Sequence, residues 1–506
     1  MKSEELRQHI EKEIGRMSTI IDASNLSSVK EAIRISLTEL RAPLKLAIVG
    51  RTKAGKSTLM NAILGISILP TGSAITTYNV NVMRHVSRAP NKRECVLAHL
   101  RDGNILNTTL EDLSNITDCR KPDPNNLRDR IAWAEVYLNL DVLRNIDIID
   151  TPGLDSVKGT DSENTEALFR DNSRKPNIII FVVQKDFLDS DVSHARECLQ
   201  SISGDNHRVN GLSAITAYNH SDQILKKHWE KDYAEEALRI IETNRKNHPE
   251  FRACFSKGFP IAAVFAAASY AMTQDDFDIL QRISQSSLAE RFWSKYNMLS
   301  FARMSEREPE LFELFKSTEI ARSMIDRLSL DAMQYIVWWL SNNPKGDRDS
   351  LNMALREFSN VPELSRYIFE EHFSKLTLFF KAIGIIPDLR KQIATALASA
   401  YNPIDQQLAS KALLICQELE RYLHAHYSFL SVMRDYYDCE NYFSDDEWEN
   451  AAKSMSLCLE DTPKKEDISE QKQYWMDKIK FFRMLNSNSE LEASEKLIKS
   501  LESHEH

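Results

Sequence analysis

The sequence predicts an α/β domain with a mainly parallel sheet and flanking helices, joined to an extended all-α helical bundle or stalk, on three observations. Ten of the 13 glycines lie between Gly50 and Gly258, where short apolar runs alternate with polar turns, the texture of alternating strands and helices. Within that window Leu46-Ala47-Ile48-Val49 runs directly into Gly50-Arg51-Thr52-Lys53-Ala54-Gly55-Lys56-Ser57-Thr58, a strand leading through a glycine-bounded turn into a helix that ends near Gly65. Outside the window apolar residues recur every three or four positions, and after about residue 310 the only glycines are Gly346 and Gly384.

Taken in order, Leu6, Ile10, Ile14, Met17 and Ile21, then Val29, Ile33, Leu37 and Leu40, predict two amphipathic helices over residues 1–42, stopped by Pro43. Their apolar faces need burial, and packing with the carboxy-terminal helices supplies it. The α/β domain is assigned to residues 43–305. Its candidate central strands are Leu46–Val49, Ala134–Leu138, Ile146–Ile149, Ile178–Val183, Ser213–Ala217 and Ile261–Phe265, mostly continuous apolar runs, as strands buried on both faces require.

Residues 306–506 read as helical. Leu408, Ala412, Ile415, Leu419, Tyr422, His426, Phe429, Met433 and Tyr436 alternate steps of four and three, predicting a bundle or coiled-coil helix about 43 Å long at 1.5 Å per residue, with His426 as a polar core residue that fixes register. Trp475, Ile479, Phe482 and Leu485 mark a last helix, and the acidic, lysine-containing stretch Cys458–Lys472 reads as an exposed loop. Two dense apolar segments stand out. Leu376–Pro387, interrupted by Gly384 and Pro387, suits a hairpin tip near 376–390, and Ile336–Leu340 carries Trp338 and Trp339. Buried bundle core is the preferred assignment for both, with contact to a membrane or partner as the alternative.

Composition narrows the classes of function. A chain of 506 residues exceeds one core, so two or three domains are expected. A net charge of -10 argues against nucleic acid as a partner and against general attraction to anionic lipid. Seven scattered cysteines without a CxxC pair read as reduced thiols in the cytoplasm. The amino terminus is charged throughout and lacks the apolar core of a signal peptide. The longest uncharged run, Gly258–Gln274, contains Pro260 and a polar tail and falls where the domain needs another strand, not a membrane span. Any membrane contact is therefore expected to be peripheral, at the inner face.

The segment Gly50–Thr58 fits GxxxxGK[ST]. In such a loop glycines let backbone N–H groups wrap phosphates, Lys56 reaches the terminal phosphates and the Ser57 hydroxyl ligates Mg²⁺. Asn145–Gly153 is an apolar strand ending in Asp150-Thr151-Pro152-Gly153. From there Asp150 can reach the Mg²⁺ shell and the Gly153 N–H can bond a γ-phosphate, so that the following loop feels its loss. Asn219-His220-Ser221-Asp222 follows the strand Ser213–Ala217. A carboxylate there accepts from the guanine N1–H and exocyclic amine, and the Asn219 amide meets the O6/N7 edge. His220 stands where the usual [NT]KxD pattern has lysine, with a ring to stack in place of the lysine stem.

Between these motifs lies Leu69-Pro70-Thr71-Gly72-Ser73-Ala74-Ile75-Thr76-Thr77, which is similar to the first switch, LPxGSGxxT, of the dynamin superfamily of large GTPases. The order of the four motifs resembles that family over roughly residues 43–270, most closely its bacterial dynamin-like members. The resemblance implies GTP hydrolysis with Mg²⁺, contact between GTPase domains as a homodimer or with another dynamin-like protein, and coupling of assembly to membrane remodelling. Thr77 resembles the switch threonine that ligates Mg²⁺ and places the attacking water, with Thr76 as fallback. Leu154 occupies the place of the water-orienting glutamine of small GTPases. Lys53, two residues before Gly55, takes the position from which the family supplies a monovalent-cation contact or an arginine, so its ammonium is expected to offset charge at the β–γ bridging oxygen, with Arg51 as second candidate. Small residues after Ile261–Phe265 suit backbone contact with a base, placing the last nucleotide loop at Ala266 and Ala267. The alternative is a regulatory or scaffolding GTPase that recruits a protein partner, hydrolyses weakly and relies on a separate dynamin-like protein.

Overall fold

The computed structural model describes residues 3–69, 80–117, 123, 126–152, 175–184, 193–195, 214–225, 228–247, 257–295, 309–315, 317–371, 377–426, 432, 443–459 and 463–503. Nine strands among them form one sheet. They are β1 Leu44–Gly50, β2 Val80–His85, β3 Cys95–Leu100, β4 Ile105–Thr108, β5 Ile131–Leu138, β6 Ile146–Asp150, β7 Ile178–Val183, β8 Ala214–Tyr218 and β9 Lys257–Pro260. The spatial order is β4-β3-β5-β2-β6-β1-β7-β8-β9. Pairs β1–β6, β1–β7, β2–β5, β7–β8 and β8–β9 run parallel, whereas β2–β6, β3–β4 and β3–β5 run antiparallel, so the sheet is mixed.

The central strands are where continuous apolar runs place them, with every residue of β1, β6, β7 and β8 buried. Strands β2, β3 and β4 were not expected. Their sequences carry Asn81, Arg84, His85 and His99, which hide a strand from a search for apolar runs, and the fold makes room for these groups by pairing them. Arg84 lies 2.5 Å from Glu135 of β5 and 3.5 Å from Asp147 of β6.

The expected strand Ile261–Phe265 is displaced. Lys257–Pro260 forms β9, and the helix Ala263–Ala271 follows after two residues. Pro260 is tolerated because β9 is an edge strand, and the alanine-rich run that follows has the strongest intrinsic preference for helix.

Helices α1 (Ser3–Ile21) and α2 (Ser27–Arg41) precede β1, and α3 (Lys56–Leu64) follows it. On α1 the residues Leu6, Ile10, Ile14, Met17 and Ile21 are all buried. That face packs on the helix Pro403–His426, while α2 packs on Thr377–Ser399 and those two later helices pack on each other. Side chains from this bundle and from one sheet face, including Leu46, Ile48, Ile148 and Ile180, form one continuous apolar core. Ala47, Val49, Ile149 and Phe181 cover the other sheet face.

Gly384 and Pro387 do not break their segment. Thr377–Ser399 is one helix with Pro387 inside it, and Leu378, Ala382, Ile386, Leu389 and Ile393 are buried along it, so bundle core and not a hairpin tip occupies 377–390. Ile336, Val337 and Leu340 are likewise buried on the helix Leu330–Asn342, with Trp338 5.8 Å from the Trp229 ring.

The long helix beginning at Pro403 is described to His426; Phe429, Met433 and Tyr436 lie outside the described residues. The stretch expected as an exposed loop is largely helical, divided between Asp445–Leu459 and Lys465–Leu485. Its periodicity was masked by a polar residue on the buried face, since Gln471 lies between buried Ile468 and Trp475 and accepts from the Ser454 hydroxyl at 3.0 Å. No described helix is long and apolar enough to cross a membrane.

Candidate functional site

Parallel strands deliver their carboxyl ends to one edge of a sheet, where α/β proteins bind ligands. Here β1 brings Gly50, β6 brings Asp150 and β8 brings Tyr218, followed at once by Asn219. The turn after β1 is shaped by its two glycines. A Cβ on Gly50 would lie 2.3 Å from the Val182 carbonyl oxygen of β7, and one on Gly55, whose φ is 90°, would lie 2.1 Å from Asn219 Nδ2. Gly55 caps α3 without a side-chain hydrogen bond, leaving the first N–H groups of the helix directed at the loop.

Lys56 begins α3 and is buried, with Nζ donating to the Gly50 and Arg51 carbonyls at 3.0 Å each. The ammonium is thus already curled over the loop it would serve. Ser57 donates from Oγ to Asp150 Oδ2 at 3.1 Å, joining α3 to the end of β6, and the Thr151 hydroxyl donates to the Ile48 carbonyl at 2.9 Å, locking β6 to β1. A serine hydroxyl beside a buried carboxylate is a hard-oxygen donor set of the kind Mg²⁺ takes when phosphates and water complete its shell. Ser57 and Asp150 would hold that ion. No group of three or more His, Cys, Asp or Glu able to hold a metal occurs among the described residues.

Arg51, Thr52 and Thr58 are half-buried and Ala54 is buried, while Lys53 is exposed with φ 65°. Left-handed backbone is unfavourable for a residue with a Cβ by roughly 1–2 kcal/mol. One contact holding it is Gln184, directly after β7, whose Nε2 donates to the Lys53 carbonyl at 3.1 Å.

Asn219 ties the site together. Its backbone N–H donates to Val183 O at 2.9 Å, its Nδ2 to Ala54 O at 3.0 Å, and its Oδ1 accepts from Ala263 N at 3.1 Å. One amide N–H is therefore committed to the phosphate loop, and the side chain braces the loop as well as facing the expected base position. His220 has φ 62°, and its Nε2 lies 3.8 Å from the position a Cβ on Gly55 would take, so its ring reaches the phosphate loop. Asp222 is 7% exposed, and its Oδ1 has no hydrogen-bond partner. Burial, then the negative charge of Asp331, push its carboxyl up to about 7.

Ala266 and Ala267 sit inside the helix Ala263–Ala271, not in a loop. That helix packs on α3, and Ala263, at its start, makes the contact with Asn219. Thr77, its fallback Thr76, Gly153 and Leu154 lie outside the described residues. Gln184, Thr151 and Ala263 were missed. Only the position of Gln184 after an apolar strand, at the ligand-binding edge, could have pointed to it.

A phosphate loop on β1, a carboxylate on β6 and an Asn/Asp turn on β8, meeting at one sheet edge, make this domain one of the P-loop GTPase class. Residues 46–213 match the dynamin family. That segment is dynamin-like, and the chain is similar to bacterial dynamin-like proteins. The isoniazid-induced protein IniC of Mycobacterium tuberculosis is 25% identical over 360 residues, covering 70% of this chain and 68% of that protein. Dynamin-like protein 2 of Campylobacter jejuni is 30% identical over 113 residues, covering 22% of this chain and 17% of that protein. A chain from the structure of an oligomerised bacterial dynamin pair aligns over 99% of this chain and 83% of its own length, at 16% identity and a TM-score of 0.35.

Proposed function

We propose that this protein binds GTP with Mg²⁺, hydrolyses it, and couples the cycle to self-assembly and to work at a membrane surface. The observation that carries the proposal is the convergence of Lys56, the Ser57–Asp150 pair and Asn219 on one loop. On binding, Lys56 exchanges the Gly50 and Arg51 carbonyls for phosphate oxygens, and the first N–H groups of α3 hold the β-phosphate. When bound, Mg²⁺ neutralises charge on the β- and γ-phosphate oxygens. Asp222 accepts from the guanine N1–H and amine, and the His220 ring lies along the base. Lys53, on the loop rim, offsets charge at the β–γ bridging oxygen, Thr77 would join Ser57 and Asp150 at Mg²⁺ and place the attacking water, and the Gly153 N–H would bond the γ-phosphate.

The membrane part of the proposal has its own support. The bundle end remote from β1 is the Ser399–Pro403 turn, since Lys381 near the start of its helix bonds to Ala42 while Asp405 bonds to Asn25 before α2. With α2 spanning 15 residues, that end lies about 22 Å from the sheet. It exposes Tyr401 at 98% and Ile404 at 61%, an amphipathic aromatic and an aliphatic side chain suited to a lipid headgroup layer.

GTPase rate per molecule, measured against protein concentration with and without vesicles, tests the whole. Rising specific activity and GTP-dependent vesicle sedimentation, lost in Tyr401→Ser/Ile404→Ser, are expected. A rate independent of concentration and of vesicles would defeat the assembly and membrane claims, and undiminished turnover in Lys56→Ala would defeat the catalytic one.

A further inference from the structure

Asp222 occupies surroundings hostile to an ionised carboxylate. The carboxyl lies on the short turn Ser221–Leu225, which packs on the helix Tyr233–Asn247, and the charge of Asp331 on the helix Leu330–Asn342 reaches it. At the start of the first helix it feels Tyr233, whose hydroxyl is itself buried without a partner and which also feels Asp232, the residue before the helix; from the second it feels the negative charge of Asp331 in the first turn. Neither helix offers it a counter-ion through these groups. Two buried polar atoms, Asp222 Oδ1 and the Tyr233 hydroxyl, thus lie within electrostatic reach of each other, each without a hydrogen-bond partner.

An orphaned buried polar atom is costly. We propose that guanine capture at this site expels a proton in mild acid: there Asp222 is mainly protonated in the nucleotide-free protein, and the guanine N1–H and amino group displace that proton to solvent by donating to both carboxylate oxygens, with Asp331 setting the pH at which this happens. The proposal rests on the assignment of Asp222 to the base.

The chemistry follows from donor count. A neutral carboxyl group carries an O–H that faces the guanine donors wrongly, whereas the ionised group accepts from both. Burial and Asp331 hold the free carboxyl at about 7, so only the ionised fraction binds guanine and the apparent dissociation constant rises as that fraction falls. The weakening is about twofold at pH 7 and about tenfold at pH 6, the arithmetic of one group titrating near 7. Asp222 and Asp331 both lie beyond the 46–213 segment that matches the dynamin family, and Asp331 stands on a separate helix, so that helix tunes the affinity of the base site.

Calorimetry of GDP binding to the full chain with Mg²⁺, at pH 6 and pH 8 in buffers of differing ionisation heat, reads the protons released. Close to one extra proton is expected at pH 6 relative to pH 8, with affinity rising about tenfold between them. Asp331→Asn should tighten binding at pH 6 severalfold and reduce the release. Protons from the nucleotide phosphates are common to both proteins, so the difference belongs to Asp222. Tyr233→Phe, which removes the second orphan, should keep the release. If wild type and Asp331→Asn release the same number of protons at both pH values, the coupling is overturned. If Asp222→Asn binds GDP as tightly as wild type and gains nothing for xanthosine diphosphate, the base assignment itself fails. A switch to xanthosine diphosphate without wild-type proton release would overturn the coupling and leave the base assignment standing.

Discussion

Asn219 spends its side chain on two parts of the molecule at once, the phosphate loop through Ala54 O and the helix Ala263–Ala271 through Ala263 N. Removing the amide leaves a carbonyl and an N–H in a site where Asn219 itself is 2% exposed, and a buried polar group left unpaired costs about 1–3 kcal/mol. Asn219→Ala is therefore expected to lower stability by about 2 kcal/mol in the absence of nucleotide as well as to weaken GTP binding; a denaturation midpoint equal to wild type would show that the bracing bonds carry no weight. Asp222 behaves in the opposite sense. Its folded-state value is raised to about 7 from 3.8, so the stability gained by holding the proton is full below about 3.8 and is lost as pH rises to about 7. Asparagine mimics the protonated form at every pH. Asp222→Asn should match wild type in stability near pH 4 and exceed it progressively up to pH 7, by at most about 4 kcal/mol. Urea unfolding of both proteins at several pH values checks this, and a gap that does not widen with pH would contradict the environment described for Asp222.

Among the elements, the helix Thr377–Ser399 shows how a local signal can mislead. Glycine and proline within three residues suggest a break, yet a face of Leu378, Ala382, Ile386, Leu389 and Ile393 at helical spacing is buried against α2 and the helix Pro403–His426. Burial of that face outweighs the preferences of two residues, each worth about 1–3 kcal/mol. Gly384 is exposed, and a Cβ there would meet nothing within 4 Å. Gly384→Ala is expected to stabilise the protein by about 0.5–1 kcal/mol, seen as a higher melting temperature, whereas destabilisation would mean the helix is not continuous at that point. The same balance explains what the sequence revealed. Strands β1, β6, β7 and β8 were legible because both faces are apolar, and the turn from Gly50 to the start of α3 was legible because its strand, its two glycines and its helix stand at consecutive positions. Strands β2 and β3 were hidden because their charged side chains find partners only across the sheet, as Arg84 does with Glu135 and Asp147. Gln184, Ala263, Tyr233 and Asp331 were hidden from the site for a related reason: topology alone brings them to it, and no spacing along the chain records that.

At the scale of the molecule, the bundle and the nucleotide loop are joined by a very short path. Helix α2 ends at Arg41, Ala42 and Pro43 follow, and β1 then runs without interruption to Gly50. Lys381 of the helix Thr377–Ser399 clamps this path from the bundle side. Its side chain is 3% exposed and its ammonium donates to the Leu40 carbonyl at 3.3 Å and to the Ala42 carbonyl, among the last carbonyls of α2, which lack partners inside the helix. Burial pushes the ammonium down to about 8, against the favourable charge of Glu39. Below it Glu39 pairs with Lys45 of β1 at 2.5 Å, and Asp147 of β6 pairs with Arg88 at 2.5 Å. Three residues along β6 from Asp147 stands Asp150, and five along β1 from Lys45 stands Gly50. A swing of the bundle relative to the sheet must therefore either carry β1 with it or break the Lys381 bonds, and a clamp that holds makes the bundle and the phosphate loop move as one. Lys381→Met keeps the length and apolar stem of the side chain and removes the donor. Basal GTP turnover in dilute solution is expected to stay within about twofold of wild type, because Lys381 bonds to the end of α2 and to none of the described loop residues from Gly50 to Thr58, while under the proposed function any increase caused by vesicles or by self-assembly should fall several-fold if it passes through α2 into β1. Steady-state rates with and without vesicles measure both quantities on the same protein, and a thermal melt separates loss of coupling from loss of fold. Full stimulation in a stably folded Lys381→Met protein would place the coupling elsewhere than in this clamp.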